Sequence, residues 1–546
     1  METVGIALAM FVAVIASGMV VRALPVAVPV PLIQIALGAL ISGVFHRGVR
    51  LEPDLFFLLF LPPLLFLDGW RIPKEGLLRD KAAILELAFG LVIFTVVGVG
   101  FFIHWMIPSM PLPVAFALAA IVSPTDPVAV SAIAARVPIP RRVMHILEGE
   151  SLLNDASGLV AFRFAVAAAV TGGFSLLSAS LSFLWVTLAG LGIGAAFTWA
   201  VSALKNRFSR RFGEEPGAQI LLSLLIPFGA YWLAEEAQAS GILAAVAAGV
   251  TMSYVELSGR ALASTRMQRA AVWNTVQFTL NGVMFVLLGE QLPDILRGAV
   301  RVVEETGHHN PWWLLVYAVA INVALALLRF VWVWISLLLG RVSARRAERE
   351  APRVGLRLTL AVSLAGVRGA ITLAGVLTLP LVVADGSAFP ARDLAIFLAA
   401  TVIVVSLLVA SVALPRLLDG LALPPETGHQ AQEDLANQAA RDAAVQAVQE
   451  TLHDLVRLDP EGDPKTYTDV ASRLMEGLVH PAIGGIEQDV DAARLRGQLA
   501  IEQTMRLAGL RAARDELFRL ARARRISDEV ARKIVRRLDL QEARLQ

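Results

Sequence analysis

The chain has 546 residues, 56% of them hydrophobic, a formal net charge of +2 and a mean hydropathy of +0.65. These values exclude a water-soluble fold for the bulk of the molecule and define a polytopic membrane protein. It has no cysteine, which removes disulfides, thiolate metal sites and cysteine nucleophiles from consideration.

The first residues, Met1-Glu2-Thr3-Val4, lack the basic region of a cleaved signal peptide and lead into an apolar stretch, read as a first transmembrane helix. In chain order, apolar segments lie near 4–21, 24–43, 53–70, 82–105, 111–135, 145–171, 176–203, 216–236, 239–256, 270–289, 311–339, 355–383 and 391–417. Crossing a bilayer takes about 20 residues, so these predict about thirteen spans. Lys and Arg crowd alternate loops: Arg22, then Arg71 to Lys81, Arg136 to Arg142, Lys205 to Arg211, Arg260 to Arg269, and Arg341 to Arg357. The opposite loops hold only Arg47, Arg50, Arg297, Arg301 and Arg392. Because basic loops stay in the cytoplasm, the alternation predicts an N-terminus outside and a C-terminal tail inside.

Three of these segments carry groups that lipid does not tolerate. The fifth contains Ser123-Pro124-Thr125-Asp126-Pro127, whose prolines remove backbone donors in mid-span. The sixth contains Glu150-Ser151-Leu152-Leu153-Asn154-Asp155, with Glu150 above Asn154 and Ser151 above Asp155 one turn apart, and Gly158 continuing that face for a close neighbour. The twelfth contains Gly366-Val367-Arg368-Gly369, two glycines around a guanidinium. Irregular backbone at membrane depth survives only around a cavity, and matched interruptions in two halves of a chain point to a midplane site built from inverted repeats. A carboxylate, a hydroxyl and freed carbonyls are the oxygen ligands that a hard monovalent cation needs. A carboxylate placed like Asp155 takes either a cation or a proton, and that competition couples two ions. Arg368 requires a partner, and Glu150 is the carboxylate expected to pair with it. Arg163 and Arg329 are alternative partners, or snorkel to an interface. Asp68, after Pro62-Pro63 on the third segment, lines a cytoplasmic funnel or sits at the interface. Glu86, Glu235, Glu236, Glu256 and Glu290 lie near span ends, as solvated interfacial groups do.

Ser-Pro-Thr-Asp-Pro, followed by Glu-Gly-Glu-Ser-Leu-Leu-Asn-Asp and Gly-Val-Arg-Gly-Ala, closely resembles the monovalent cation/proton antiporter family 1, which holds the NhaP-type antiporters and the animal Na+/H+ exchangers. The resemblance covers roughly residues 1–417. It implies an all-α membrane protein of thirteen helices, with an inverted repeat, crossed broken helices, a dimerisation part and an ion-carrying core. It implies a secondary transporter in a bacterial inner membrane, without a cofactor, exchanging Na+ for H+ and working as a homodimer. Carried over by motif, Asp155 is the cation- and proton-binding carboxylate, and Ser151 and Thr125 are further Na+ ligands. Asp126 is a water-mediated or helix-stabilising partner, Asn154 locks the crossover, and Glu150 with Arg368 forms the family's ion pair. Asn154 in place of a second aspartate implies electroneutral 1:1 exchange. Many relatives place an acidic residue where Leu67 stands here, one position before Asp68.

About forty of the chain's 48 Lys and Arg and 46 Asp and Glu residues follow position 418. Residues 418–546 are therefore expected to form a cytoplasmic helical regulatory tail, broken at Asp459-Pro460-Glu461-Gly462 and at His480-Pro481, with no ligand identifiable. Its basic residues Arg519, Arg522, Arg524, Arg525, Arg532, Lys533, Arg536 and Arg537 fit a solvated face, anionic lipid or a second protomer. Gly190, Gly192 and Gly194 follow no strand and are packing residues rather than a nucleotide loop. His308-His309 is not a metal site, no nucleic-acid partner is indicated, and no ATP-binding motif suggests a pump. Other readings are a K+/H+ antiporter, a membrane sensor signalling through the tail, and an intramembrane aspartyl protease; for the last, neither Asp126 nor Asp155 has a Gly-x-Gly-Asp context.

Overall fold

The computed structural model describes residues 2–24, 28–45, 53–126, 141–171, 176–257, 261–305, 312–346, 355–383, 386–419, 427–458, 464–479, 492–543 and 545. Pro127, His308-His309 and the tail breaks at 459–462 and 480–481 lie outside them. The described residues are helical, with one isolated bridge between Val382 and Ala388.

The membrane part contains α1 (Glu2–Ala23), α2 (Val30–Phe45), α3 (Pro53–Arg71), the short α4 (Lys74–Arg79), α5 (Lys81–Met106), α6 (Leu112–Val122), α7 (Arg141–Thr171), α8 (Leu176–Phe212) and α9 (Pro216–Glu236). There follow α10 (Gly241–Glu256), α11 (Ala263–Glu305), α12 (Trp312–Arg346), α13 (Leu356–Leu364), α14 (Ala370–Leu377) and α15 (Arg392–Leu418). Among the described residues eight helices are long and apolar enough to cross a membrane, and α2, α6 and α10 carry shorter apolar runs. The fifth and twelfth segments are not continuous spans. Pro124 has no N–H to continue the hydrogen-bond ladder, and α6 ends at Val122 with Ser123 as its cap, still in helical geometry. Between α13 and α14 the Gly366 to Gly369 stretch is not helical, with α13 ending at Leu364 and α14 starting at Ala370.

These helices sort into two bundles. In the first, α2 packs on α1 and α11, and α10 packs on α3, α8 and α9. Small residues set the spacing: a Cβ on Gly249 of α10 would overlap the Phe66 carbonyl of α3. Gly190 and Gly194 of α8 press against Ser240 and Ala244 in the same way, whereas Gly192 faces open space. In the second bundle, α6 packs between α5 and α7, and α15 contacts α12, α13, α14 and α6. Here α5 widens into a π-helical stretch over Glu86–Leu91, and Ser157 of α7 donates its hydroxyl to the Ala88 carbonyl (2.7 Å). The bundles meet along α11 against α14 and α15, α3 against α7 and α14, and α10 against α7.

Beyond Leu418, α16 (Thr427–Leu458), α17 (Pro464–Val479), α18 (Ala492–Arg522) and α19 (Asp528–Ala543) pack on one another. Ala436, Ala440, Ala444, Leu517, Phe518 and Ile534 close one core, which also takes in Leu257 at the end of α10. The α19 helix lies on α11 of the first bundle.

Candidate ion site at the helix crossing

Two broken segments face each other at the centre of the second bundle. The Asp126 backbone N–H donates to the Val367 carbonyl (2.7 Å), so the unwound ends of α6 and α13 satisfy one another. The approach is close: a Cβ on Gly369 would overlap the Asp126 carboxylate, and one on Gly158 of α7 would overlap the Pro124 ring. The stacked polar face of α7 is brought against this crossing. Asn154 donates through Nδ2 to the Thr125 hydroxyl (3.1 Å), and that hydroxyl donates to Glu150 Oε1 (3.3 Å). Asn154 therefore ties α7 to the break.

Glu150 is wholly buried, and its carboxylate is forked by Arg329 of α12, Nη1 to Oε1 and Nη2 to Oε2 (2.7 Å). Arg329 also donates through Nε to the Val362 carbonyl of α13 (3.2 Å). The expected Glu150–Arg368 hydrogen-bonded pair does not form. Arg368 instead donates through Nε to the Val122 carbonyl (2.9 Å) and through Nη1 to that of Gly366. The physical reason is the break itself: the end of α6 and the non-helical stretch after α13 leave carbonyls without intrahelical donors, and the Arg368 guanidinium satisfies those of Val122 and Gly366. A guanidinium arriving from α12 is left for Glu150. Position along α7 shows which face Glu150 occupies but not which helix supplies the opposite charge.

Asp155 is buried, and among the described residues no hydrogen bond or ion pair reaches its carboxylate or the Ser151 hydroxyl. Both open into a cavity of about 40 Å³ shared with Thr125, Asp126, Gly369 and Thr372 of the second bundle and Leu64, Asp68, Gln277 and Asn281 of the first. That volume holds a few water-sized groups. The structure thus gathers Asp155, Ser151, Thr125, Asp126 and Asp68 around one void; Asn154 and Glu150 lie directly behind it. Gln277 and Asn281 escaped the sequence reading, although two amides one turn apart in the run Val276 to Val283 were the available signal.

Other charged groups expected at interfaces are partnered. Arg163 of α7 donates to Glu235 of α9 (3.1 Å), joining the two bundles. Glu256 accepts from Trp70 Nε1 (2.8 Å) and from Arg269 (2.7 Å), and Glu290 is buried.

The end of the first bundle nearest the cavity is covered by α19. Arg532 donates to the carbonyls of Arg71 (3.0 Å) and Trp70 (3.3 Å), the last residues of α3. Lys74 lies 3.5 Å from Asp528, His145 of α7 lies 3.3 Å from Glu529, and Arg266 of α11 forks Asp539, which Arg514 also contacts (3.2 Å). Lys74 donates to the Ser253 carbonyl (2.8 Å), and loss of water around it lowers its amine from 10.5 to about 8 despite the opposing pull of Asp528.

A buried carboxylate without a hydrogen-bond or ion-pair partner among the described residues, set where two broken segments meet inside a many-helix membrane protein, defines a membrane transporter rather than an enzyme or a structural module. The family model described as sodium/hydrogen exchanger, transmembrane, matches residues 7–420, and the chain belongs to that family. It is 41% identical over 532 residues to an Escherichia coli K12 protein named an uncharacterized Na(+)/H(+) exchanger, covering 97% of this chain and 96% of that one. It is 46% identical over 416 residues to a Bacillus pumilus protein named a sodium, potassium, lithium and rubidium/H(+) antiporter; this match covers 76% of this chain and 61% of the relative. The sodium proton antiporter MjNhaP1 from Methanocaldococcus jannaschii superposes with a TM-score of 0.58 at 16% identity, over 77% of this chain and 99% of that one, so the two share a fold.

Proposed function

We propose that this protein is a secondary antiporter that exchanges Na+ for H+ across a bacterial plasma membrane by alternating access, with one site that holds either ion. The observation that carries this reading is the Asp155 carboxylate, buried in an ion-sized cavity with no hydrogen bond among the described residues. Asp155 binds cation or proton, with Ser151 and Thr125 supplying further oxygens to Na+ and Asp126 placed at the same crossing. The amide of Asn154 holds the Thr125 hydroxyl in place. Because one carboxylate serves both ions and Asn154 carries no charge, the stoichiometry is one cation for one proton, without net charge movement. The second bundle, residues on α5 to α7 and α12 to α15, is the moving carrier; the first is the scaffold and the surface for a homodimer. Residues 1–417 form the transport unit and 418–546 a regulatory unit, with the N-terminus outside and the C-terminus inside. The Bacillus pumilus relative's name supports Li+ and K+ as alternative substrates, since the same oxygens coordinate all three ions.

The deciding experiment is proton flux in proteoliposomes with a pH-sensitive dye, adding Na+, Li+ or K+ with and without a clamped potential. Cation-dependent flux that ignores the potential and vanishes in Asp155→Asn is expected. Flux retained in Asp155→Asn would reject the assigned carboxylate, and dependence on potential would reject 1:1 exchange.

A further inference from the structure

The groups assigned to the ion so far all sit on one side of the cavity, on α7 and the crossing. The opposite wall belongs to the other bundle and presents Leu64 and Asp68 of α3 with Gln277 and Asn281 of α11. Asn281 sits half-buried in the middle of the long α11, at the edge of this cavity. Among the described residues it makes no hydrogen bond, whereas its neighbour one turn back is held by its carbonyl oxygen: Gln277 Oε1 accepts from Arg71 Nη1 (2.6 Å).

The same arginine explains why Asn281 faces the cavity. Arg71 closes α3 and grips α11 twice, through Asn274 and Gln277. One turn back along α3 is Asp68, and one turn forward along α11 is Asn281, and both line the cavity, so the two helices run antiparallel with these side chains level. The arginine fixes the register that sets a carboxylate and an amide on the wall facing Asp155.

We propose that Asn281 is a cation ligand on the scaffold wall: its amide oxygen, beside the Asp68 carboxylate, replaces water around a small monovalent cation on its way to Asp155. A void of about 40 Å³ does not accommodate a full hydration shell, so the cation must exchange waters for protein oxygens before it reaches Asp155. A proton needs no such shell. Asn281 therefore sets cation affinity and discrimination among Na+, Li+ and K+, and its contact exists only while the carrier faces this wall. The inference rests on the antiport reading and deepens it.

The test uses the full chain and two readouts. In proteoliposomes, Asn281→Leu is expected to raise the KM for Na+ about fivefold or more while kcat falls less than twofold, and Asn281→Asp is expected to lower KM below that of wild type. In purified protein, the NaCl concentration that half-maximally raises the unfolding temperature, read against choline chloride, is expected to shift in the same direction for each variant. An unchanged KM and an unchanged NaCl midpoint in Asn281→Leu overturn the proposal, as does a fall in kcat alone. If Asn281→Leu does not fold, Asn281→Asp decides: a lower NaCl midpoint supports the ligand role and an unchanged one rejects it. A wild type without cation-dependent proton flux identifies a failure of the antiport reading itself, separable because the NaCl midpoint is measured independently of transport.

Discussion

At the scale of single residues, the buried charges around the crossing differ in what holds them. Among the described residues, Glu150 is forked by Arg329 and Arg368 donates to backbone carbonyls, whereas no hydrogen bond or ion pair reaches the Asp155 carboxylate. Removing one member of a buried pair leaves the other uncompensated, at a cost of about 3–5 kcal/mol. Arg329→Met is therefore expected to lower folded yield and unfolding temperature strongly. A double-mutant cycle by thermal unfolding should show strong coupling of Glu150 with Arg329 and weak coupling of Glu150 with Arg368. Equal coupling to both arginines would contradict the hydrogen-bond pattern. The identity of the buried acids was legible in the sequence because a carboxylate in an apolar run has few explanations. Their partners were not, because Arg329 lies 179 residues from Glu150 and nothing local ties the two.

At the scale of elements, the crossing depends on how closely two irregular segments approach. The Asp126 N–H reaches the Val367 carbonyl only because Gly369 has no side chain to meet the Asp126 carboxylate. Gly369→Ala is expected to push the breaks apart and abolish exchange while the circular-dichroism helix signal stays near wild type. Normal flux in that variant would show that the close approach is dispensable. Prolines and glycines made both interruptions visible in advance, yet their effect on the segments was larger than a kink: α6 ends at Val122 and the twelfth segment becomes α13 and α14. Helix ends were harder to read where polar sequence continues a helix beyond the bilayer. The tenth apolar segment, near 270–289, is the middle of α11, which runs from Ala263 to Glu305.

At the scale of the molecule, α19 grips both bundles: Arg532 and Asp539 hold α3 and α11 of the first, and Glu529 faces His145 of α7 in the second. Lys74 next to Asp528 gives this contact a pH signature. Its amine titrates near 8 in the folded protein and 10.5 otherwise. Below about 8 it is charged in both states and its burial costs stability. Between 8 and 10.5 the folded protein binds fewer protons than the unfolded chain, so stability rises with pH across that window. The unfolding temperature of Lys74→Met, measured from pH 7.5 upward, should lack the rise that wild type shows through this range. An identical rise in the variant would assign it elsewhere. Truncation after about residue 420 should change the pH response of transport but leave exchange measurable in proteoliposomes. Loss of all flux in a well-folded truncated protein would show that the C-terminal helices are part of the transport unit.

The sequence by itself determined the solvent, the helical class, the two broken segments and the acids between them, because hydropathy, proline, glycine and intramembrane charge act locally along the chain. Only the tertiary structure decided which guanidinium meets Glu150, that Gln277 and Asn281 face Asp155, and that Asp528, Glu529 and Arg532 close over the ends of α3 and α7. Each of these is a meeting of groups far apart in the chain, fixed by how helices pack and not by what any one helix contains.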